Sequence, residues 1–311
     1  MNSIVITGST GFVGRNLIQK IHETRIQLTN VVRSIDSTLE GESMLYGDFW
    51  TYKRKFNTYI HLAGKAHDLK NVSDDTEYFE INYELTKAFY DRFLDDEASK
   101  KFIYISSVKA VADELSAPLT EKHDPRPVTA YGRSKLKAEQ YLLANQIAGK
   151  QVYIFRPCMI HGPGNKGNLN ELYQYVKNEI PWPLGSFENK RSFLSIDNLL
   201  LVIKEVINGN LQSGIYNVAD DTPISTRELV EYMSSVLKKN VRIFNVPISI
   251  VKILAKIGNQ INLPLNEERL KKLTEDYVVS NEKIKNELKW NTMPISSFDG
   301  LKKTILSFKD A

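Results

Sequence analysis

The sequence predicts an α/β protein: a doubly wound parallel sheet carrying a smaller C-terminal lobe. Three observations carry this. The chain opens strand, glycine turn, helix. Short β-rich runs and helical stretches then alternate as far as Arg156. After Pro163 the pattern changes to a series of helices broken by prolines.

The bulk composition bounds the rest. A chain of 311 residues with 42% hydrophobic and 25% charged side chains has the make-up of a globular protein with a sizeable core. The net charge of +4 is unevenly spread, because Lys238 to the C-terminus holds 14 Lys/Arg against 8 Asp/Glu. No dense basic run argues for a nucleic-acid partner. Cys158 is the single cysteine, which excludes an intrachain disulfide, and its place after Arg156-Pro157 in an apolar run reads as a buried small residue. The N-terminus lacks a basic n-region and a long apolar h-region, and no apolar run reaches about 18 residues, so the expectation is a cytoplasmic protein with no membrane span.

In order, Ser3 to Thr7 is a first strand feeding Gly8-Ser9-Thr10-Gly11-Phe12-Val13-Gly14 and then a helix. That context suits a dinucleotide pyrophosphate: the glycines allow the turn and a close approach, and the helix N-terminus faces the anion. A second strand, Leu28 to Val32, ends at Arg33. A carboxylate there would hold a ribose diol, whereas arginine stacks on adenine and pairs with a 2′-phosphate, which favours NADP over NAD. Asp48 and Phe49 follow a third strand at the adenine end. Asn57 to Leu62 is a fourth strand, running into Ala63-Gly64. A long helix with Asn82 near its middle follows, then a fifth strand, Lys101 to Ile105, which delivers Ser106 and Ser107 at its carboxyl end. The next helix carries Tyr131 and Lys135 and is expected to reach about residue 148. Gln151 to Arg156 is strand six.

Tyr131-Gly132-Arg133-Ser134-Lys135 puts a phenol and an ammonium on one helix face at i and i+4. A phenol with a pKa of about 10 is a poor base at neutral pH, and a nearby ammonium favours its ionised form. A serine hydroxyl can bond the oxygen that the tyrosine protonates. Such a set moves a proton at a carbinol or ketone as a hydride moves. Tyr-x-x-x-Lys also occurs as Tyr83/Lys87 and Tyr173/Lys177, but only Tyr131/Lys135 follows a Ser-Ser strand end.

With Thr7–Gly14, His61-Leu62-Ala63-Gly64, Asn82-x-x-x-Thr86, Ser106-Ser107, Tyr131-x-x-x-Lys135, Arg156-Pro157, Arg191-x-x-x-x-Ile196-x-Asn198 and Tyr216-Asn217-Val218 in sequence order, the chain resembles the extended short-chain dehydrogenase/reductases, the NAD-dependent epimerase/dehydratases. The resemblance covers nearly the whole chain. It implies a Rossmann-type sheet domain over residues 1–162 with about 191–220, and a smaller nucleotide-sugar lobe from 163–190 and 221–311. It implies Tyr131 as acid/base, Lys135 as its pKa partner and a nicotinamide-ribose ligand, and Ser107 as the hydroxyl on the reacting oxygen. Leu62, Ala63, Gly64, Asn82 and Pro157 would line the cofactor. Asn168 and Arg191 match positions that contact a substrate diphosphate, and Arg269 would offer a second phosphate contact. Family members are commonly homodimers.

Sugar 4,6-dehydratases carry an Asp-Glu pair after the active-site hydroxyl; here those places hold Val108 and Lys109, which argues against dehydration. The segments around Ser107, His67 and Asn168 resemble a bacterial polysaccharide subgroup similar to UDP-4-keto-sugar reductases, often described as UDP-glucose 4-epimerase-like. Lys109 and His67 would then reach towards the sugar. The expected activity is NAD(P)-dependent reduction of a UDP-4-keto-6-deoxy-N-acetylhexosamine for surface polysaccharide, with a UDP-hexose 4-epimerase holding NAD as the alternative. A catalytically inactive, cofactor-sensing member would have lost the tyrosine or the lysine, and both are present.

In the second half, helices are expected at Leu169–Asn178, at Thr226–Leu237, Ile248–Ile257, Glu267–Leu273, Asn281–Leu288 and Phe298–Leu306, with strands at Arg191–Ile196 and Ile215–Val218. Asp197 is expected to cap the helix through Ile207. The apolar stretch Val246 to Leu265 contains Lys252, Lys256 and two prolines, and reads as lobe packing rather than membrane docking.

Overall fold

Ser-Ile-Val-Ile-Thr is β-branched and apolar on both faces, as a strand covered on both sides must be, and it becomes β1 (Ser3–Thr7), buried along its length. The computed structural model describes residues 3–22, 26–65, 75–165, 167–260 and 266–309. After β1 come α1 (Phe12–His22), β2 (Gln27–Val32), β3 (Glu42–Leu45), α2 (Tyr46–Thr51) and β4 (Thr58–His61). Then follow α3 (Asp75–Phe79), a π-helical turn at Glu80–Glu84, α4 (Leu85–Asp95), β5 (Lys101–Ile105), α5 (Ala130–Ala144) and β6 (Gln151–Pro157). The remainder is β7 (Met159–His161), α6 (Asn168–Lys177), β8 (Phe193–Ser195), α7 (Ile196–Asn208), β9 (Gly214–Val218), α8 (Thr226–Leu237), α9 (Ile248–Gln260), α10 (Glu267–Thr274), α11 (Glu282–Leu288) and α12 (Ser297–Ser307).

Seven strands form one parallel sheet in the order β3-β2-β1-β4-β5-β6-β9. The strand order reverses between β1 and β4, so the crevice at their carboxyl ends is the switch point where ligands of such sheets bind. The Gly8–Gly14 turn leaves β1 at that crevice, and Ser106-Ser107 leave β5 on the same edge of the sheet. One face of the sheet packs with Leu17, Ile18, Leu199 and Ile203 of α1 and α7. The other is strongly aromatic, with Phe49, Phe56, Tyr59, Phe89, Phe93 and Phe102. A third cluster, including Tyr173, Trp182, Leu229, Val251 and Leu301, is the core of the C-terminal lobe. Among the described residues no helix is long and apolar enough to cross a membrane.

Several expectations need correction. The long helix bearing Asn82 is interrupted by the π turn, which buries the Asn82 side chain. The Tyr131 helix stops at Ala144, because Asn145 leaves helical backbone. Ser195, not Asp197, caps α7: its hydroxyl accepts from the Asp197 N–H, while the Asp197 carboxylate pairs with Lys303 at 2.7 Å. Met159–His161 is a strand missed by periodicity, too short to show one, and it pairs with Phe193–Ser195 in a separate two-stranded sheet. Tyr277, Val279, Ile284 and Met293 pack in the cluster on the α1 and α7 face of the sheet.

Candidate functional site

The pyrophosphate turn is shaped by steric necessity. Gly8 has φ +74°, and a Cβ there would stand 2.4 Å from the Ala63 nitrogen; a Cβ on Gly14 would stand 2.3 Å from the Gly8 carbonyl oxygen. These glycines let β1, β4 and the start of α1 meet. Gly11 meets only the Gly8 carbonyl, at 3.2 Å, leaving room on its ligand side. Phe12 and Val13 stand at the N-terminus of α1 with their side chains packed against the sheet core. The turn is a cradle that larger residues would fill, and it fits a dinucleotide.

Beyond it, Thr10, Arg33, Ser34, Ile35, Asp36 and Ser37 line an open cleft of about 460 Å³. Arg33 is exposed there. Asp36 is engaged: it pairs with Arg15 at 2.7 Å and accepts from the Thr38 N–H at 3.0 Å and hydroxyl at 2.6 Å. The Thr38 bonds, then the Arg15 guanidinium, hold its carboxyl below the usual range against a small opposing effect of burial. Asp48 is exposed in α2. Phe49 departs from expectation, because its side chain is wholly buried in the aromatic core and has only backbone to offer a ligand.

The reacting centre is a smaller cleft lined by Leu62, Gly64, Lys65, Ile105, Ser106, Ser107, Tyr131, Lys135, Pro157, Cys158 and Ile160. Ser107 and Tyr131 are hydrogen-bonded through their side chains. Burial pushes the Tyr131 phenol above its ordinary value while the Ser107 bond opposes that shift, so the phenol is held in its protonated form. The ring of Tyr78 packs edge-on against Tyr131 at 6.2 Å. Lys135 Nζ donates to the Ile105 carbonyl at 3.0 Å and lies 4.9 Å over the Tyr104 ring. Burial pushes its ammonium down to about 8, with Glu139 opposing.

Asn82 orders the wall beside it. Its Oδ1 accepts from the Lys65 N–H at 2.8 Å, and its Nδ2 donates to the Lys65 carbonyl at 3.1 Å and to Ser134 Oγ at 3.0 Å. Under the floor, His61 lies between Thr7 Oγ1 at 2.5 Å and Thr86 Oγ1 at 2.9 Å. Burial, then the Lys135 charge, pushes that imidazole down to about 3. It stays neutral and does not compete as an acid.

The other Tyr-x-x-x-Lys pairs lie elsewhere. Tyr83 meets Tyr141 edge-on, and Tyr173 is buried in the lobe core against Phe308. Cys158 lines the cleft wall but is nearly buried, and burial raises its thiol far above the usual value, so it is no nucleophile.

Lys109 is not in the cleft lining. Its ammonium donates to the Asp113 carbonyl at 2.7 Å and lies 4.3 Å over the Tyr277 ring. Arg191 is partly buried, and its guanidinium donates to the Lys272 carbonyl. Its charge still acts on Cys158 in the cleft wall and on Tyr277. Arg269 is exposed in the first turn of α10, away from the cleft lining. Asn168 opens α6, but its side chain, like His67, lies outside the described residues.

Sequence reasoning missed what holds Tyr131 against Ser107. Thr129 caps α5, accepting from the Gly132 N–H at 3.2 Å. Asp113 in turn accepts from the Val128 N–H at 2.7 Å and the Thr129 N–H at 3.2 Å. A Cβ on Gly132 would stand 2.4 Å from the Lys109 carbonyl oxygen, so only glycine lets α5 seat on the Val108–Ala110 turn. A Thr-x-x-Gly helix start was visible in the sequence; the Asp113 contact, 15 residues away, carries no local signal.

A consequence is testable by pH. Burial places loss of the Lys135 charge near 8 rather than 10.5. If turnover at this cleft needs that charge, kcat/KM is expected to fall as pH rises above about 8, because this parameter follows the free enzyme. A pH–rate profile checks it; a plateau extending to pH 10 would remove Lys135 from this role.

A glycine turn at the switch point with a strand-end serine, a tyrosine and a lysine at i+4 is the site arrangement of a nicotinamide-binding enzyme of the short-chain dehydrogenase/reductase type. The profile of the NAD dependent epimerase/dehydratase family matches residues 4–219, and the chain belongs to that family. It is 30% identical over 323 residues to a UDP-glucose 4-epimerase of Vibrio cholerae, covering 99% of this chain and 96% of that one. It is 26% identical over 237 residues to a UDP-2-acetamido-2,6-beta-L-arabino-hexul-4-ose reductase of Pseudomonas aeruginosa, covering 74% of this chain and 56% of that one. Its fold matches RMD from Pseudomonas aeruginosa, solved with NADPH, at a TM-score of 0.72 and 20% identity over the full length of both chains.

Proposed function

We propose that this protein reduces the C4 ketone of a UDP-linked 4-keto-6-deoxy-N-acetylhexosamine with NADPH. The single observation that carries the reading is the cleft in which Ser107 and a protonated Tyr131 are hydrogen-bonded beside the Lys135 ammonium. The cofactor supplies a hydride when bound. Gly8, Gly11 and Gly14 receive its pyrophosphate, and Lys135 its nicotinamide ribose. Ser107 donates to the substrate oxygen and fixes its position over Tyr131. Tyr131 then gives that oxygen its proton as negative charge develops, and Lys135 stabilises the tyrosinate left behind. Val108 and Lys109 supply no acid/base pair after Ser107, and Lys109 is occupied by Asp113 and Tyr277, which disfavours a dehydratase.

Arg191, partly buried with its charge acting on Cys158 in the cleft wall, is the proposed contact for the nucleotide diphosphate. Exposed Arg33, with Asp36 already bonded to Arg15 and Thr38, supports a 2′-phosphate at the adenosine end over a free ribose diol. Arg33→Asp is expected to weaken NADPH binding at least tenfold while changing NADH little, on the scale of one charge-assisted contact. Equal effects on both cofactors in a titration would remove Arg33 from the argument.

The Vibrio cholerae relative favours a second reading, a UDP-hexose 4-epimerase in which the same residues oxidise C4 and reduce the opposite face. Incubating purified protein with NADPH and a UDP-4-keto-6-deoxy-N-acetylhexosamine separates the two. Stoichiometric loss of the nicotinamide absorbance is expected; an unchanged absorbance, with UDP-glucose and UDP-galactose interconverting, would support the epimerase.

A further inference from the structure

Helix α9 buries one face and leaves a second apolar face bare. Val251, Ala255 and Gly258 are buried against the lobe. Ile250, Ile253, Leu254 and Ile257 are 47%, 59%, 51% and 44% exposed, and Phe244 just before the helix is 50% exposed. At helical spacing those four share an arc of about 100°, roughly a third of a turn round from the buried face. Lys256 and Lys252, both exposed and one turn apart, lie about 60° and 100° beyond Ile253, on the side of the helix away from the buried face. From Lys238 to Asn266 the chain holds Lys238, Lys239, Arg242, Lys252 and Lys256 and not one Asp or Glu. A contiguous apolar arc with cations along one side is unlike the singly scattered apolar residues normal on a surface.

The charge pattern selects the occupant. A second copy meeting this face across a two-fold axis would set Lys252 and Lys256 against like charge, with no carboxylate on the segment to receive them. Anionic headgroups receive them directly, and the apolar arc enters the headgroup–acyl boundary. At 13 residues, α9 is about 20 Å long, too short to span a bilayer but long enough to lie in its surface.

We propose that α9 docks this protein on the surface of an anionic phospholipid bilayer, with Ile250, Ile253, Leu254 and Ile257 facing the lipid and Lys252 and Lys256 on the headgroups. Val251 and Ala255 of the stretch do pack in the lobe, and the proposal concerns the second face that they leave. α9 packs on α10, whose Lys272 carbonyl holds Arg191, so the docked lobe is the one that carries the proposed diphosphate contact.

Co-sedimentation of the full chain with phosphatidylcholine vesicles, with and without phosphatidylglycerol, tests this. Binding is expected only with phosphatidylglycerol and to weaken as salt rises. Lys252→Gln with Lys256→Gln is expected to lower partition on the order of 25-fold, about fivefold for each surface charge. Ile253→Gln with Leu254→Gln, both on the solvent side of the helix, is expected to abolish sedimentation while leaving turnover on a soluble substrate unchanged. Equal partition onto both vesicles, or no binding to either, overturns the proposal. So does a concentration-dependent dimer in light scattering that Ile253→Gln with Leu254→Gln dissociates, which would give the face to a second copy.

Discussion

Replacing Tyr131 with Phe is expected to lower turnover on the order of 10³-fold while leaving the affinity for NADPH essentially unchanged. The phenyl ring would keep its edge-on contact with Tyr78, and the cleft its shape. Only the proton donor is lost, and a positioned acid of this kind contributes roughly 10²–10⁴-fold. Ser107 remains to bond the substrate oxygen but has no neighbour that can re-protonate it, since His61 beneath the cleft is held neutral by burial. Single-turnover kinetics with saturating substrate, alongside a fluorescence titration of NADPH, would measure both numbers. Near-normal turnover would mean that Tyr131 is not the acid.

The largest stability effect is expected behind the site rather than in it. Glu139, one turn beyond Lys135 on α5, is buried with Arg156 on β6, their side chains 1% and 3% exposed. Arg156 donates to Glu139 through Nε at 3.0 and 3.1 Å and through a terminal nitrogen at 2.5 Å, and the Ser106 hydroxyl donates to the same carboxylate. The network ties α5 to the carboxyl ends of β5 and β6, where the cleft forms. Arg156→Met leaves a carboxylate buried without its cation and is expected to cost roughly 3–5 kcal/mol in urea denaturation. Adding Glu139→Met should recover a large part of that, because a well-packed apolar pair replaces a buried ion pair at little net cost. A loss under about 1 kcal/mol for Arg156→Met would show that water reaches the pair.

Much of this architecture is written locally. β1 and β5 run over the residues that their β-branched and aromatic runs mark out, and α8 begins at Thr226 after Ser225, whose capping box with Glu228 is a sequence pattern. The parallel sheet follows from the alternation of strand and helix, with β9 returning beside β6. Order along the chain also singled out Tyr131 among three similar pairs, and the structure brings it together with Ser107 and Lys135 in one cleft.

What sequence left dark is mostly long-range. Nothing near Lys109 announces that its ammonium will be taken up by Asp113 and Tyr277, 168 positions apart from the latter by number. Phe49 sits in a cofactor-like position along the chain, yet its side chain turns into an aromatic core assembled from β4, β5 and α4. In the π turn at Glu80–Glu84, Asn82 meets both Lys65 and Ser134, contacts 17 and 52 positions away. The apolar period of α9 was legible, but which of its faces the lobe would cover was not, since that depends on the partner surface and not on the helix.

In the proposed reaction, hydride reaches C4 of the sugar while Tyr131 protonates its oxygen. The most direct measurement uses NADPH deuterated at nicotinamide C4 with the UDP-4-keto sugar, followed by proton NMR of the product. The account predicts deuterium at C4 of the hexose and nowhere else, in one stereochemical sense, with one equivalent of oxidised cofactor formed. Product carrying no deuterium, or an epimer formed without cofactor consumption, would contradict it.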